Sequence, residues 1–345
     1  MYYQGGYTVK EKEILNEVDL CDENGNLNEN SIGWSRKPLI NLNLKKHFFR
    51  KKRWNYWAFV NEDCLFSATI TDLDYAGMAF IYFYDFKTKE FIEKTITTPF
   101  GKNVKMENKV YSNAIFNNKK MKIEMIYKNE STIIKVETDD FKSKNLKVEF
   151  KVFQPKEYDT LNVVIPWDKN HFQFTSKQEA LEFEGYIHID NKNYDFERNN
   201  SFATLDFGRG VWPREISWNW ANAGGYSEGK KIGLNLGAKW TDNTGMTENA
   251  LVINGDLIKI SEDVIFSYDE NDLMKPWKLK TKDTDQVNLT FTPVYKRLAK
   301  TNFLIIKSNI YQMIGHFSGY IKDENNNKIK IDNLAGCSEE HFAKW

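Results

Sequence analysis

The chain has 345 residues, of which 41% are hydrophobic, enough to bury one large core or several ordinary ones. This composition excludes disorder and small disulfide scaffolds. Lys and Arg number 48, as do Asp and Glu, so the net charge is zero and the basic field of nucleic-acid-binding proteins is missing; we expect no nucleic-acid partner.

The first 47 residues differ from the rest of the chain. Residues 10–18 show weak helical periodicity, and residues 19–31 are rich in Asp, Glu and Asn, as in a surface arm. Residues 33–39 then bring a tryptophan, an arginine and a proline together. Because proline fixes its own backbone angle φ, this segment predicts a fixed crossing of the chain rather than a free linker.

From Trp57 onward the pattern predicts an all-β protein with few short helices. Alternating or β-branched and aromatic segments are separated by Asn, Asp, Lys and Gly turns. Predicted strands include residues 67–70, 78–86, 121–127, 132–137, 146–153 and 161–165. Predicted hairpin turns lie at residues 117–119, 128–130 and 325–327. Weak helical periodicity returns only at residues 338–345.

An internal repeat divides the β region. The sequence WNYW at Trp54 returns as WNW at Trp218, and FEGYI at Phe183 returns as FSGYI at Phe317, in the same order. An acid follows each second motif after a similar interval. We infer an arm of residues 1–47 and two homologous antiparallel barrels, residues 48–210 and 211–345, each of eight to ten strands. One long β-sandwich with accidental similarity is the alternative.

The densest cluster of candidate functional residues spans residues 205–220, where the two units join. Small-molecule pockets are mostly apolar with a few converging polar groups. The cluster has that composition, with three tryptophans and four charged side chains: Trp212, Trp218, Trp220, Asp206, Arg209, Arg214 and Glu215. Gly208 and Gly210 flank Arg209, so the backbone can take positive φ angles there and pass close to another group.

Asp206 and Glu215 are the candidate catalytic groups. A carboxyl buried among indoles has its charged form disfavoured by desolvation, which keeps it protonated near neutral pH. Such an acid can protonate an alkene or assist the addition of water. The structural alternative is an ion pair between Asp206 and Arg209 that fixes the connection between the units.

Two smaller groups are candidates for ligand binding. Near the end of the chain stand Glu339 and His341, but a single histidine without a partner four residues away is a weak metal signal, and we expect no metal site. The alternative is a solvated helix end, with Ser338 as its cap and acids in the first turn. Trp34 and Arg36 form the other group.

Several features bear on location and partners. The longest apolar run, residues 78–84, is far below the roughly 20 residues of a membrane span, and no secretory signal precedes it, so we expect a cytoplasmic location. Three cysteines without CxxC spacing favour neither disulfides nor thiolate metal sites. The motifs of hydrolase triads and nucleotide cofactors are missing. The basic residues 50–53 leave open peripheral contact with an anionic ligand or lipid headgroup.

Several segments together resemble the bacterial DUF2804 family, whose function is not established. They are residues 33–38, residues 206–212, the Trp218 and Trp220 pair, and the closing Gly-x-x-Glu-Glu-His with Trp345. The resemblance spans essentially the whole chain. More distantly, the tandem barrels are similar to the double-lipocalin superfamily of carotenoid 1,2-hydratases, tocopherol cyclase and certain Diels-Alderases. That similarity implies two lipocalin-like barrels, a hydrophobic ligand at their interface or mouth, and Asp206 as the acid nearest in location.

The leading functional hypothesis is therefore binding of an isoprenoid- or lipid-like small molecule. Asp206 and Glu215 would supply acid–base chemistry of the hydration, cyclisation or isomerisation type, which requires no metal or organic cofactor. The predicted ligand-binding residues are Trp34, Arg36, Arg209, Trp212, Trp218, Trp220, Glu339 and His341. The alternatives are a non-catalytic lipid carrier and a carbohydrate-active protein with two carboxyls about 5–10 Å apart in an open cleft.

Overall fold

The computed structural model describes residues 11–303 and 306–344 of the chain. The first ten residues of the predicted arm and Trp345 lie outside the described residues. The described chain forms two large antiparallel sheets of fourteen and nine strands and one small parallel pair. Within it the one helix is the three-residue 3₁₀ turn Glu29–Ser31, and the prediction of an all-β fold is confirmed. No helix of the described residues is long and apolar enough to cross a membrane.

The first sixteen strands lie before residue 212. They are β1 Val18–Asp19, β2 Trp34–Ser35, β3 Ile40–Asn41, β4 Lys51–Val60, β5 Cys64–Asp72, β6 Ala76–Asp85, β7 Phe91–Pro99, β8 Val104–Met106, β9 Ala114–Asn118, β10 Met121–Tyr127, β11 Ser131–Thr138, β12 Leu146–Phe153, β13 Leu161–Asp168, β14 His171–Ile189, β15 Lys192–Phe196 and β16 Phe202–Val211. β1 pairs with β3, and the others form the larger sheet, called the first sheet below, in the order β7-β6-β5-β4-β16-β14-β12-β11-β10-β9-β8, with β13 and β15 also on β14 and β2 on β13.

The long strand β14 explains why the first sheet exceeds the eight to ten strands that we expected. Its first half pairs with β13 and β16, and its second half pairs with β12 and β15. The register shifts between Gln178 and Leu181, and Ala180 between them has a φ of 52°. This bulge bends the strand, so that one strand joins two sets of neighbours. The contacts of β8 and β9 with β5 show that the sheet also curls.

The remaining strands form the second sheet. They are β17 Glu215–Ser227, β18 Lys230–Ala238, β19 Ala250–Ile253, β20 Asp256–Lys259, β21 Val264–Ser267, β22 Trp277–Thr281, β23 Val287–Phe303, β24 Ile306–Lys322 and β25 Lys328–Lys344. Their order is β20-β19-β18-β17-β25-β24-β23-β22-β21. This sheet curls as well, because β18 contacts β21. The predicted hairpin turns lie between β9 and β10, between β10 and β11, and between β24 and β25.

Both weak helical predictions are wrong. Residues 338–344 belong to β25, which pairs with β17 on one side and β24 on the other, so strand pairing overrides the helix-cap pattern at Ser338. At the other end of the chain, Ile14 donates a backbone hydrogen bond to Trp34, and Trp34 donates one to Lys12. These contacts hold the described part of residues 10–18 in an extended conformation.

Side-chain alternation positions each strand. In β12, Leu146, Val148 and Phe150 are buried, while Lys147 and Lys151 on the other face are exposed. In contrast, every residue of β5 is buried, because one face contacts the apolar core of the first sheet and the other faces the second sheet. The two sheets therefore pack against each other through side chains of β4 to β6 and through β14 and β16, which contact β17 and β18.

The predicted repeat has a structural counterpart. Gly185 on β14 and Gly319 on β24 have φ angles of 141° and 137°. A Cβ atom would lie 2.0 Å from the carbonyl oxygen of Glu149 at the first position and 2.3 Å from that of Asn288 at the second, so both strands require glycine. β4, β14 and β16 thus correspond to β17, β24 and β25. The domain bounds at residues 48–210 and 211–345 stay a prediction.

Candidate functional site

A cavity of about 190 Å³ lies between the two sheets. A single water molecule needs about 10–15 Å³ of such space, so the cavity has room for an organic molecule. The first sheet contributes lining residues from β4, β5, β6, β14 and β16, and the second contributes them from β17, β23, β24 and β25. The cavity therefore belongs to the junction of the sheets.

Tryptophan forms much of the cavity wall. Trp212 is the centre of the group, with ring centroids 5.6 Å from Trp54, 5.5 Å from Trp218 and 5.5 Å from Trp240, the last pair being stacked. Trp220 lines the cavity beside them. Indole faces attract cations, so this wall suits an apolar ligand or one that develops positive charge.

The two glycines beside Arg209 permit the close approach of another group that the sequence suggested, whereas neither has a positive φ angle. β16 is a central strand between β4 and β14, which keeps its backbone extended. A Cβ atom on Gly208 would lie 2.2 Å from the indole of Trp54, and one on Gly210 would lie 2.2 Å from Oε1 of Gln173. The side chains of Trp54 and Gln173 can pack against β16 only because Gly208 and Gly210 carry no Cβ.

Asp206 faces the cavity and pairs with a lysine. Nζ of Lys177 is 3.0 Å from Oδ1 of Asp206 and 3.0 Å from Oε2 of Glu248, and it lies 4.6 Å from the ring centroid of Trp220. Burial lowers the pKa of Lys177, but the two carboxylates outweigh this effect and raise it above its ordinary value. Trp240 donates a 2.6 Å hydrogen bond to Glu248.

Arg209 takes no part in this network, and the predicted pair of Asp206 with Arg209 is wrong. The guanidinium is fully buried and donates hydrogen bonds to the carbonyl oxygens of Trp54, Gly208 and Glu107 and to Oδ1 of Asn55. Burial lowers its pKa well below the ordinary value. Arg209 therefore ties β4 and β16 to the loop after β8, outside the cavity.

Glu339 is the cavity acid without a cation. Its Oε1 accepts a 2.8 Å hydrogen bond from the indole of Trp218, and its Oε2 accepts a 3.1 Å bond from the amide of Gln312. In the described part of the chain no ion pair holds it. Burial raises the pKa of Glu339 to about 7, with Trp218 and Arg297 opposing the shift. Its carboxyl is therefore a proton donor and acceptor near neutral pH.

Asp206 and Glu339 occupy corresponding places in the two sheets. Their cross-strand neighbours are Lys177 and Tyr56 for Asp206, and Gln312 and Trp220 for Glu339. Tyr56 and Trp220 touch edge to face across the sheet junction, with ring centroids 5.6 Å apart. The same position thus carries a cation in the first sheet and a neutral amide in the second.

His341 and two unpaired polar atoms complete the lining. The His341 ring centroid lies 3.8 Å from that of Trp218, and its Nε2 is 2.9 Å from Oγ of Ser308. Burial lowers the pKa of His341 to about 3, and Arg297 adds to the shift, so the ring is neutral at physiological pH. Oγ1 of Thr69 and Oε1 of Gln312 are buried without hydrogen-bond partners among the described residues. These atoms are available to a ligand.

The structure brings six of the predicted site residues to the cavity: Asp206, Trp212, Trp218, Trp220, Glu339 and His341. Glu215 is exposed and pairs with Lys344, and Trp34 is buried elsewhere in the core. Arg36 binds Asp159 and Glu13. Together with Arg209, these residues lie outside the cavity. Across the described ranges, no three His, Cys, Asp or Glu side chains are grouped as metal ligands.

Among the charged or polar lining residues that the sequence did not single out are Lys177, Arg297 and Gln312. Each is isolated from the others in the sequence, and they line one cavity only because the two sheets pack together. The sequence signal that could have found them is a polar residue among apolar residues of a predicted strand, such as Gln312 between Tyr311 and Met313. Arg297 also links the sheets, since it forms an ion pair with Glu93 on β7.

Solved structures share this architecture at low sequence identity. CghA in complex with Sch210972 has a TM-score of 0.51 and 7% identity, covering 86% of this chain and 89% of that chain. This likeness confirms the prediction of tandem lipocalin-like barrels. Kievitone hydratase from Nectria haematococca has a TM-score of 0.43 and 9% identity, covering 85% and 88%. No curated protein matches the chain.

The family resemblance is confirmed over nearly the whole length. The family model described as a domain of unknown function, DUF2804, matches residues 11–345. The match includes every described strand and all the cavity residues. The chain belongs to the DUF2804 family.

Proposed function

We propose that the protein binds a hydrophobic, isoprenoid- or lipid-like molecule between its sheets and catalyses its hydration, cyclisation or isomerisation by acid–base chemistry. The observation that carries the proposal is the Glu339 carboxyl, which has a pKa of about 7 and faces a cavity walled by tryptophan. A carboxyl of ordinary pKa would be almost fully ionised at neutral pH and a poor proton donor.

The geometry supports a simple proton cycle. The protonated carboxyl of Glu339 gives its proton to one carbon of a substrate double bond, so a C–H bond forms as the O–H bond breaks. The other carbon becomes a cation, which the indole faces of Trp212, Trp218 and Trp220 stabilise. Water adds to the cation, or an adjacent C–H bond breaks. In both cases the released proton returns to Glu339.

Asp206 has a different part in this proposal from the one that the sequence suggested. It is bound to the ammonium of Lys177, so in this proposal it holds that cation in the cavity wall rather than supplying a proton to the substrate. Glu215 has no part in the proposed proton cycle, because it is the exposed first residue of β17.

A deuterium experiment tests the proposal. Extracted cellular lipids are incubated with the protein in D2O, and the products are analysed by mass spectrometry. Because the Glu339 proton exchanges with solvent, a product made by wild type should carry one deuterium on carbon. Glu339→Gln should give none, whereas Glu340→Gln should behave as wild type. Glu340 is the matched control because it is adjacent, points to the opposite face and pairs with Lys239.

The lipid-carrier alternative gives a different result in the same samples. A carrier would retain an unmodified lipid in native mass spectrometry, and wild type and Glu339→Gln would show no deuterated product. That outcome would reject catalysis and leave binding. The burial of Trp212 and Trp220, which are only 7% and 4% exposed, speaks against the carbohydrate alternative, because exposed indole faces are needed to stack on a sugar in an open cleft.

A further inference from the structure

Three exposed phenylalanines lie together on one face of the protein. Phe48 is 77% exposed, Phe49 46% and Phe100 73%. The rings of Phe48 and Phe49 have centroids 4.3 Å apart, and those of Phe49 and Phe100 are 6.3 Å apart. Across the described residues no other phenylalanine is exposed. Single exposed apolar side chains are ordinary, but a cluster of large rings on neighbouring turns marks an interaction site. We call these three residues the phenylalanine patch.

The surroundings of the phenylalanine patch are basic. Residues 45–53 and 94–106, which carry the patch, contain Lys and Arg but neither Asp nor Glu. The exposed cations on these segments are Lys45, Lys46, Arg50, Lys102 and Lys105. In the part of the chain that the structure describes, none of the five forms an ion pair.

The nearby acids do not cancel this charge. Asp72 and Asp74 lie inward of the patch and already pair with Arg53. Asp22 and Glu23 share a surface groove with Lys45 and Lys46. Lys102 and Lys105 remain as exposed cations near the rings, together with Arg50, which contacts His171 beside Asp168.

The phenylalanine patch also adjoins the cavity. The backbone of Phe100 donates a 2.9 Å hydrogen bond to the carbonyl oxygen of Tyr75. The Tyr75 ring centroid is 4.7 Å from Nζ of Lys52, and both Lys52 and Leu73 line the cavity. The patch thus lies at the end of β4, β5 and β6 where the cavity wall begins.

We propose that the phenylalanine patch and its cations dock the protein on an anionic membrane surface. Aromatic rings enter the boundary between headgroups and acyl chains, and cations attract anionic headgroups, so the two features act together. The cavity edge would then face the lipid. This inference goes beyond the proposed function and does not depend on it, because bilayer binding is measured without a substrate.

Vesicle flotation tests the proposal. Wild type should float with vesicles of phosphatidylcholine and phosphatidylglycerol but not with phosphatidylcholine alone, and added salt should weaken binding. The double variant Phe48→Ser, Phe100→Ser should lose at least about tenfold in partitioning, since burial of one large apolar side chain is worth a factor of ten or more. Lys102→Glu with Lys105→Glu should lose binding as well.

A matched control tests whether any loss of exposed apolar side chains weakens vesicle binding. Leu15→Ser with Leu298→Ser removes two apolar side chains that are 75% and 46% exposed elsewhere, and it should bind as wild type. Absence of wild-type flotation, or equal loss in the control, would overturn the proposal. A third outcome would also overturn it: wild type sediments as a dimer and does not bind vesicles, and the double variant Phe48→Ser, Phe100→Ser sediments as a monomer. The phenylalanine patch would then bind a second copy of the chain.

Discussion

Gln312 occupies in the second sheet the place that Lys177 occupies in the first. Each lies directly across from a cavity acid, Glu339 for Gln312 and Asp206 for Lys177. An ammonium forms an ion pair with the first acid, whereas the second acid has an uncharged amide in that place and forms no ion pair among the described residues. Two acids in corresponding positions therefore differ in their chemistry because of one residue on the neighbouring strand.

The first prediction exchanges that residue. In Gln312→Lys, an ammonium would stand near Oε2 of Glu339 and stabilise the carboxylate, so the pKa of Glu339 should fall from about 7 toward its ordinary value of 4.5. In Gln312→Met the carboxylate loses a hydrogen bond, and the pKa should rise. Titration of the Glu339 carboxyl by infrared difference spectroscopy measures both shifts. Shifts in the same direction in the two variants would contradict this account.

The second prediction concerns stability and pH. A carboxyl whose pKa is raised on folding stabilises the native state below its unfolded pKa, and this stabilisation is lost as pH rises through the folded pKa. From pH 4.5 to above 7, Glu339 should therefore lower the free energy of unfolding by about 3 kcal/mol. Glu339→Gln should remove this decline and be more stable than wild type at pH 8.

Urea unfolding of wild type and Glu339→Gln at pH 5 and pH 8 checks the second prediction. Other titrating groups are shared by the two proteins, so the difference between their pH dependences isolates Glu339. Parallel pH profiles would show that the carboxyl has an ordinary pKa, and the proposed proton donor would then lose its basis.

Local patterns in the sequence were sufficient for the fold. Strand alternation, hairpin turns and the FEGYI and FSGYI repeat depend on neighbours in the chain, and they predicted the β architecture. The helix predicted at residues 338–345 failed because Ser338 and its following acids fit a cap equally well, and only pairing with β17 and β24 decides between the two.

The site was predictable only in part. Asp206, Trp212, Trp218 and Trp220 were found because they cluster in the sequence. Lys177 and Arg297 come from separate strands and line one cavity through the packing of one sheet on the other, which no local pattern records. Glu215 lies outside the cavity, because nearness in sequence to Trp218 says nothing about which end of a strand is exposed.

The third prediction concerns His341. A histidine whose pKa is lowered on folding stabilises the protein above its unfolded pKa of 6.5, and the stabilisation is lost as pH falls toward the folded pKa of about 3. Between pH 6.5 and pH 5, wild type should lose about 2 kcal/mol of unfolding free energy through this residue. His341→Gln should not show that loss. His188→Gln, outside the cavity, is the control, and an equal change in both variants would contradict the prediction.

The fourth prediction tests the buried lysine. Lys177→Met leaves the half-buried Asp206 and the buried Glu248 without their cation, and it should destabilise the protein by about 3–5 kcal/mol. Adding Asp206→Asn and Glu248→Gln removes the two unpaired charges. The triple variant should therefore recover a large part of the lost free energy of unfolding. Urea unfolding at neutral pH compares the single and triple variants. A triple variant less stable than the single one would show that Lys177 acts through packing instead.

The fifth prediction concerns the close approach at Gly208. An added methyl group would lie 2.2 Å from the Trp54 indole, so Gly208→Ala must displace a ring that lines the cavity. Overpacking of this kind costs about 1–3 kcal/mol, and the displaced indole should also change tryptophan fluorescence. Gly224→Ala is the control, because the nearest atoms to its new methyl group are 3.2 Å away and neighbours need shift only slightly. Equal destabilisation of the two variants would mean that contact with Trp54 does not explain the glycine at position 208.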